Sequence, residues 1–315
     1  HREEILKGAR RYIYPLQHTK HRLVIISLSL VIVALLGFFS YCAFALYKSK
    51  TTSDFMYKVT KVIPFPIARI GSEFVLYENY LFEINHYVHY YETQQELDFD
   101  SDAGKLQLAE FKKRALDKVV NDAYIKGIAK EKNISVNNEE IDRAINVVRN
   151  QNRLSGSDEE LEAILREYWD WSISDFRRSL KSQLLAQKVV SALDTQTHDD
   201  ANIALAKLKS GKDFAELAKE VSADGETKER GGEYPYLIEK TNRDISPRTV
   251  DALFSLKPGQ FSEVVDVGYG LEIVKNLEVK GDKVRGAHIL FNFKDINQYL
   301  NDAKEERKTR AYISL

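Results

Sequence analysis

An α+β chain carried on a single transmembrane helix is the fold class this sequence predicts, and three observations carry it. Residues 23–47, LVIISLSLVIVALLGFFSYCAFALY, are 25 consecutive positions without a charge. Between residues 102 and 193, apolar residues recur at helical spacing, each stripe backed by charged positions. Beyond residue 194 the pattern changes to short helices and strands, and it includes two alternating runs joined by a tight turn. The combination reads as a mostly helical domain followed by a smaller α+β domain with an antiparallel sheet.

At about 1.5 Å per residue, the uncharged segment crosses a ~30 Å hydrocarbon core with some tilt. A cleaved signal peptide is the alternative, and Ala43-Phe-Ala45 mimics a cleavage box. The apolar region of such a peptide is usually only about 7–15 residues long, so the length favours an uncleaved anchor. Arg2, Lys7, Arg10, Arg11, Lys20 and Arg22 precede the span, against Lys48, Lys50, Lys58 and Lys61 after it. The positive-inside tendency then puts residues 1–22 in the cytoplasm and everything past Lys48 outside. Tyr41 and Tyr47 fall near one end, where interfacial aromatics belong. The sole cysteine, Cys42, lies inside the span and reads as a membrane packing residue.

A connector ending near Pro64-Phe-Pro66 leads to IARIGSEFVL, a short strand pair. Tyr80, Ile84, Tyr87 and Tyr91 then share a helical face. Four helices follow, marked by Leu108, Phe111, Ala115, Val119 and Ala123; by Ile141, Ala144, Ile145 and Val148; by Leu161, Ile164, Leu165 and Tyr168; and by Phe176, Leu180 and Leu184. Asn137-x-x-Glu140 and Ser157-x-x-Glu160 are capping boxes that fix two of the starts. Further on, Ala201, Leu205 and Leu208 form one helical face and Phe214, Leu217, Ala218 and Val221 another. EYPYL is a candidate strand, Val250, Leu253 and Phe254 mark a short helix, and LKPGQFSEVV turns into a strand. LEIVKNLEV and VRGAHILF pair through KGDK, whose Gly281-Asp282 supplies hairpin turn chemistry. DINQYLNDAKEER is helical, and TRAYISL is a terminal strand expected to pair near IARIG.

The 46 basic and 47 acidic residues of the 315 nearly cancel, and Lys and Arg are spread rather than gathered in a stripe. No nucleic-acid partner is expected. His86 and His89 sit at helical spacing without a third ligand, so no metal site is expected there. DFDSDAG, residues 98–104, has its glycine one position late for a calcium loop and Ala109 where a carboxylate is needed. A solvated loop with Asp102 near a helix start is the better account.

The run GKDFAELAKEVSADGETKERGGEYPY, followed by VDALFSLKPGQFSEVVDVGYGLEIVKNLEV, resembles the parvulin (PpiC-like) family of peptidyl-prolyl isomerases. The preceding helices, from KVVNDAYIKGIAKEKNISVNNEEIDRAI through DFRRSLKSQLLAQKVV, resemble the chaperone domain of PrsA/SurA-type foldases. The resemblance implies a cytoplasmic tail at 1–22, a transmembrane helix at 23–47 and a helical chaperone domain at 48–193, completed by 293–315. A parvulin-like domain would occupy 194–292. It implies a single-pass protein of the cell membrane that binds unfolded or secreted clients and isomerises X–Pro bonds. An anchored holdase or scaffold with a silent parvulin-like domain is the alternative. No cofactor is implied.

Parvulins open with a strand of the form A-S-H-I-L, ahead of their first helix. Here DTQTHDD stands in that place, and Ala287-His288-Ile289-Leu290 carries the motif after the last parvulin strand. The resemblance implies a local circular permutation that returns His288 to the site from the other end of the domain. It implies catalytic roles for Asp224, His288 and Glu272, the last standing where the family has a second histidine. Tyr234, Ile245, Thr249 and Phe254 would form the substrate pocket, with Thr249 in place of an aromatic wall. Losing that wall removes roughly 1.5–3 kcal/mol of apolar contact, about ten- to a hundredfold in rate. A regular hairpin at Gly281-Asp282 puts His288 opposite Lys275, away from Glu272. For the site to assemble, the register must slip, and Gly286 is the expected place for a bulge.

Overall fold

The computed structural model describes residues 2–151 and 157–314. Helix α1 (Arg2–Ala43) runs unbroken and passes into a π-helical turn at Phe44–Lys48. The stretch Arg22–Lys48 is long and apolar enough to cross a membrane, which fits an anchor or a signal sequence. The segment expected as a plain connector contains a helix, α2 (Asp54–Val62), capped by the Ser53 hydroxyl. Only Met56 and Thr60 are buried on it, and two apolar turns are too short a signal to read from spacing.

The helical module is built on a three-stranded antiparallel sheet, β2-β1-β7, formed by β1 (Pro66–Ile70), β2 (Glu73–Leu76) and β7 (Thr309–Ala311). Around it pack α3 (Tyr77–Gln94), α4 (Asp102–Glu131) and α7 (Ile173–Leu193), joined by α11 (Ile296–Glu306) through Leu300. α5 (Asn138–Gln151) and α6 (Asp158–Trp169) form a smaller core with α7, around Ile141, Leu161, Leu165 and Leu180. Asn137 and Glu140 exchange the two bonds of a capping box, and Ser157 accepts from the Glu160 amide. A further capping box, Ser172 with Asp175, starts α7, its aspartate standing outside the S/T-x-x-E/Q pattern that marks such boxes in sequence. Ser101, one residue ahead of Asp102, caps α4.

β7 pairs with β1 in the register Ala68–Ala311, and Ile313 enters the core behind it. Removing residues 309–315 bares the β1 edge and takes Ile313 out of the core, worth roughly 1.5–3 kcal/mol. Melting of the helical module should fall by several degrees, at about 2–4 °C per kcal/mol for a unit of this size. An unchanged melt, followed by helical circular dichroism, would show that the tail contributes nothing.

The second module holds a four-stranded antiparallel sheet in the order β3-β6-β5-β4: β3 (Ile238–Glu239), β4 (Val265–Asp266), β5 (Gly270–Lys280) and β6 (Lys283–Asn292). EYPYL is not the strand it was expected to be. Glu233 makes an isolated bridge to Ala287, Pro235 has no amide to offer a ladder, and regular pairing starts at Ile238. α8 (Thr195–Lys209) and α9 (Phe214–Val221) cover one face of the sheet, over Leu271, Ile273, Ala287, Ile289 and Phe291. α10 (Pro247–Ser255) covers the other through Val250 and Leu253, against Val274, Val284, Ile238 and Tyr234.

Cys42 departs from its expected environment. It is 0% exposed and packs in the helical module's core with Ala45 and Leu46. One side of the last turn of the apolar segment therefore faces protein, while Phe44 on the other side stays 60% exposed.

Candidate active site

Register decides which side chains can meet on the α10 face. The hairpin turn pairs Lys280 with Lys283 and Glu278 with Arg285, but Asn276 pairs with Gly286. Leu277 is therefore the extra residue of a bulge on β5, directly across from Gly286 rather than at it. Slipping by one moves His288 from opposite Lys275 to opposite Val274, and it puts Glu272 opposite Leu290. Because successive residues alternate faces, this single slip places Glu272, Val274 and His288 on one side of the sheet. Gly286 serves a different need, since a Cβ there would stand 3.0 Å from both methyls of Leu253.

Asp224 arrives from the loop after α9. Ala223 donates its amide to the Leu290 carbonyl at 2.8 Å, and the Ser222 hydroxyl accepts from the Leu290 amide. Pinned to β6 in this way, Asp224 lies with Oδ2 2.8 Å from His288 Nε2. Glu272 Oε1 lies 3.3 Å from the other ring nitrogen. The Thr227 hydroxyl donates to Asp224 Oδ2 at 2.5 Å, and its oxygen is 3.0 Å from His288 Nε2. Thr249 donates to Glu272 Oε2 at 2.5 Å, and the Tyr269 hydroxyl donates to Oε1 at 3.4 Å. Tyr234 stacks on the imidazole with ring centroids 4.6 Å apart. A glycine pair completes the clamp: Gly232 accepts from the His288 amide at 2.9 Å and donates to the Thr227 carbonyl at 2.9 Å.

The chain Thr249–Glu272–His288–Asp224 runs from the interior to the surface, with the buried Thr227 bonded to Asp224 at its outer end. Glu272 is 1% exposed and His288 5%, whereas a fifth of the Asp224 side chain reaches solvent. Burial works against a charged imidazole, but the Glu272 and Asp224 carboxylates outweigh it and raise His288 above its ordinary value. Burial also opposes the Asp224 carboxylate, yet the Thr227 and His288 hydrogen bonds win and hold it below the usual range. The surroundings thus favour the charged ring and the charged Asp224 together, with Asp224 as the exposed end of the group. Tyr269, at the rim, is pushed up to about 12 by burial and then by Glu272.

Of the seven residues singled out from sequence, Asp224, His288, Glu272, Thr249 and Tyr234 form this network. Ile245 and Phe254 stand half-buried at the margin of the apolar cluster that holds Tyr234. Thr249 is no pocket wall: it is 0% exposed and spends its hydroxyl on Glu272. Thr227 and Tyr269 were missed. Thr227 was legible as a hydroxyl three residues after Asp224, within reach of a local side-chain bond; Tyr269 left no comparable sign. His198 lies in the first turns of α8, its Nε2 3.0 Å from the Ser191 carbonyl, and takes no part in the network.

The pH dependence follows from these directions. A raised His288 contributes stability that is full below about pH 6.5 and is lost as pH rises through its folded value. A lowered Asp224 contributes stability that is present above about pH 3.9 and is lost as pH falls through its folded value. Urea melts of the wild type and of His288→Gln should therefore differ most near pH 6 and converge in alkali. A gap that stays constant from pH 6 to 10 would contradict a charged imidazole.

Comparison with known proteins brings the two modules under described families. A SurA-like N-terminal domain matches residues 16–190, and a PPIC-type PPIase domain matches residues 184–278, stopping ahead of β6. The foldase protein PrsA of Caldanaerobacter subterraneus is 30% identical over 234 residues, 67% of this chain and 70% of that protein. PrsA of Bacillus subtilis is 31% identical over 120 residues, 38% of this chain and 36% of its own. A crystal structure of the peptidylprolyl isomerase PrsA from Bacillus anthracis covers 61% of this chain and 88% of that one, at 21% identity. The TM-score between the two is 0.20. With more than half its length matched by the SurA-like model and a curated foldase aligned across most of both chains, this chain belongs to the PrsA-type foldases, a SurA-like N-terminal domain joined to a PPIC-type peptidyl-prolyl isomerase domain.

Proposed function

We propose that this chain is a membrane-anchored, extracytoplasmic foldase that binds unfolded or secreted proteins and isomerises their X–Pro bonds at Asp224. One observation supports the site above all: a buried hydrogen-bonded chain, Glu272–His288–Asp224, fixes a single carboxylate at the surface beside the Tyr234 cluster. Isomerisation faces a barrier of about 20 kcal/mol because resonance keeps the amide planar. That resonance places negative charge on the carbonyl oxygen. A fixed carboxylate next to the oxygen disfavours the planar form and so favours the twisted one, which is what differential binding requires. In this reading Asp224 touches the client, Thr227 and His288 hold it in place and keep it ionised, and Glu272 holds the ring from its other side. Tyr234, Ile245 and Phe254 offer the apolar surface for the proline ring.

We read β6 as the family's opening strand delivered from the other end of the domain. Support comes from its central place between β3 and β5 and from a family match that ends before it. Turnover of a proline peptide, measured by exchange between its cis and trans forms, tests the activity. Client protection without turnover would favour the alternative, a holdase with a silent domain, for which the buried Thr249 speaks.

The single apolar span and the Lys and Arg imbalance support a cytoplasmic residue 1–22 segment with the bulk of the chain outside. Protease added to intact cells should digest the part after Lys48. Protection of that part, with loss of the N-terminal segment, would reverse the orientation.

A further inference from the structure

The apolar segment is longer than a bilayer needs, and the surplus is used. Leu23 to Phe39 and Tyr41 point outward, with the large side chains among them 41–66% exposed. At about 1.5 Å per residue, positions 23–41 extend ~28 Å, close to the ~30 Å of a hydrocarbon core. The following turn is welded to the helical module. Cys42, Ala45 and Leu46 are buried in its core, the Tyr77 hydroxyl donates to the Leu46 carbonyl at 2.6 Å, and the Tyr47 hydroxyl donates to the Pro66 carbonyl at 2.6 Å. A flexible tether is therefore absent at this junction.

The weld fixes the depth of what lies beside it. Phe65, just past α2, stacks on Phe39 with ring centroids 5.1 Å apart, and Phe39 precedes the weld by three residues on the lipid side. The corner leading into Phe65 thus reaches down to the level of the span. On that corner Val62 is 82% exposed and Phe55, two turns earlier on the same face of α2, is 54% exposed. Lys58 and Lys61 are exposed between them, with Lys48 exposed at the end of the span; Asp54 is the one acidic residue on α2. Apolar tips flanked by lysines fit a boundary between acyl chains and anionic headgroups.

We propose that α2 and the corner after it form a membrane-seated foot: Phe55 and Val62 enter the interface, Lys58 and Lys61 contact anionic lipid headgroups, and the helical module rests rigidly on the bilayer. This rests on the reading of α1 as a membrane span. The aromatic and apolar surfaces that meet clients are then held at a set height rather than swinging on a tether.

The test uses the full chain in lipid nanodiscs, in a Cys42→Ala background, with a spin label at Leu30→Cys, Phe55→Cys, Val62→Cys or Ile203→Cys. Oxygen and a water-soluble nickel complex report depth. The Leu30 label should favour oxygen and the Ile203 label, on α8, should favour nickel. Labels at 55 and 62 should fall between, with nickel access well below that at 203. Nickel access at 55 and 62 equal to that at 203, with 30 still in hydrocarbon, overturns the foot alone; an aqueous label at 30 overturns the span and the foot together. Lys58→Glu with Lys61→Glu should move labels 55 and 62 toward water in anionic discs and much less in zwitterionic ones. An equal shift in both lipids overturns the headgroup contact. A photo-crosslinking phenylalanine analogue at Val62, with Cys42 intact, should attach lipid, which guards against a core weakened by the background substitution; crosslinks confined to protein would count against the foot.

Discussion

Asp224→Asn should remove peptidyl-prolyl turnover, by a factor on the order of 10² or more, while the chain stays folded and still holds clients. The substitution keeps the shape of the side chain and exchanges a fixed negative charge for a neutral amide, so it removes the electrostatic effect alone. Asp224 is partly exposed and its loop is pinned independently by the Ala223 amide and the Ser222 hydroxyl. Melting should therefore fall only by the stability that the ionised Asp224 contributes, with Glu272 still bonded to the ring. His288→Ala should also abolish turnover, at a larger structural cost. It strips Glu272 of its imidazole partner at 1% exposure and leaves Thr249 and Tyr269 to satisfy it, so a buried hydrogen-bonded group loses a partner at a cost of roughly 1–3 kcal/mol. Holding is expected to survive in Asp224→Asn because the aromatic surfaces of the helical module, among them Tyr87, Tyr91 and Trp171, lie on other elements. A folded Asp224→Asn chain with wild-type turnover would remove Asp224 from the chemistry and leave the parvulin-like module as a binding surface.

What the sequence conveyed about fold and site divides along physical lines. Helices with full apolar stripes and capping residues, such as α4 to α7, were legible because their period and ends are local properties. α2 was not, because nine residues with two buried positions leave too little pattern. Cys42 was misplaced for a related reason: apolar composition is the same whether a side chain faces lipid or a protein core, so span length says nothing about where the lipid ends. At the site, the residue types and the need for a register slip near Gly286 were legible through the family resemblance, but the strand that carries the extra residue was not. The bulge at Leu277 carries no compositional mark, and the glycine that drew attention, Gly286, is needed for the close approach of Leu253 instead. Thr249 was read as a lost pocket wall because its sequence position matched one. Only packing reveals that its hydroxyl is turned inward to Glu272.

Gly232→Ala should be among the most damaging single-methyl changes in this module, affecting both melting and turnover. Gly232 sits at φ +82°, where a side chain is already strained by roughly 1–3 kcal/mol. An added Cβ would stand 2.1 Å from the His288 carbonyl oxygen, which is backbone of the central strand and cannot swing away. Relief requires the glycine turn to lift off β6. That breaks the bond from the His288 amide to the Gly232 carbonyl and the bond from the Gly232 amide to Thr227, the residue whose hydroxyl anchors Asp224. Gly211→Ala is the control: its φ is also positive, at +99°, but nothing lies within 4 Å of the added carbon, so it bears the backbone strain alone. The pair should separate clearly in thermal melts, with Gly211→Ala active and Gly232→Ala inactive even at temperatures where it remains folded. Equal melting of the two variants, with turnover kept in both, would mean that the glycine clamp does not set the position of His288, and the account of how this fold holds Asp224 would fail with it.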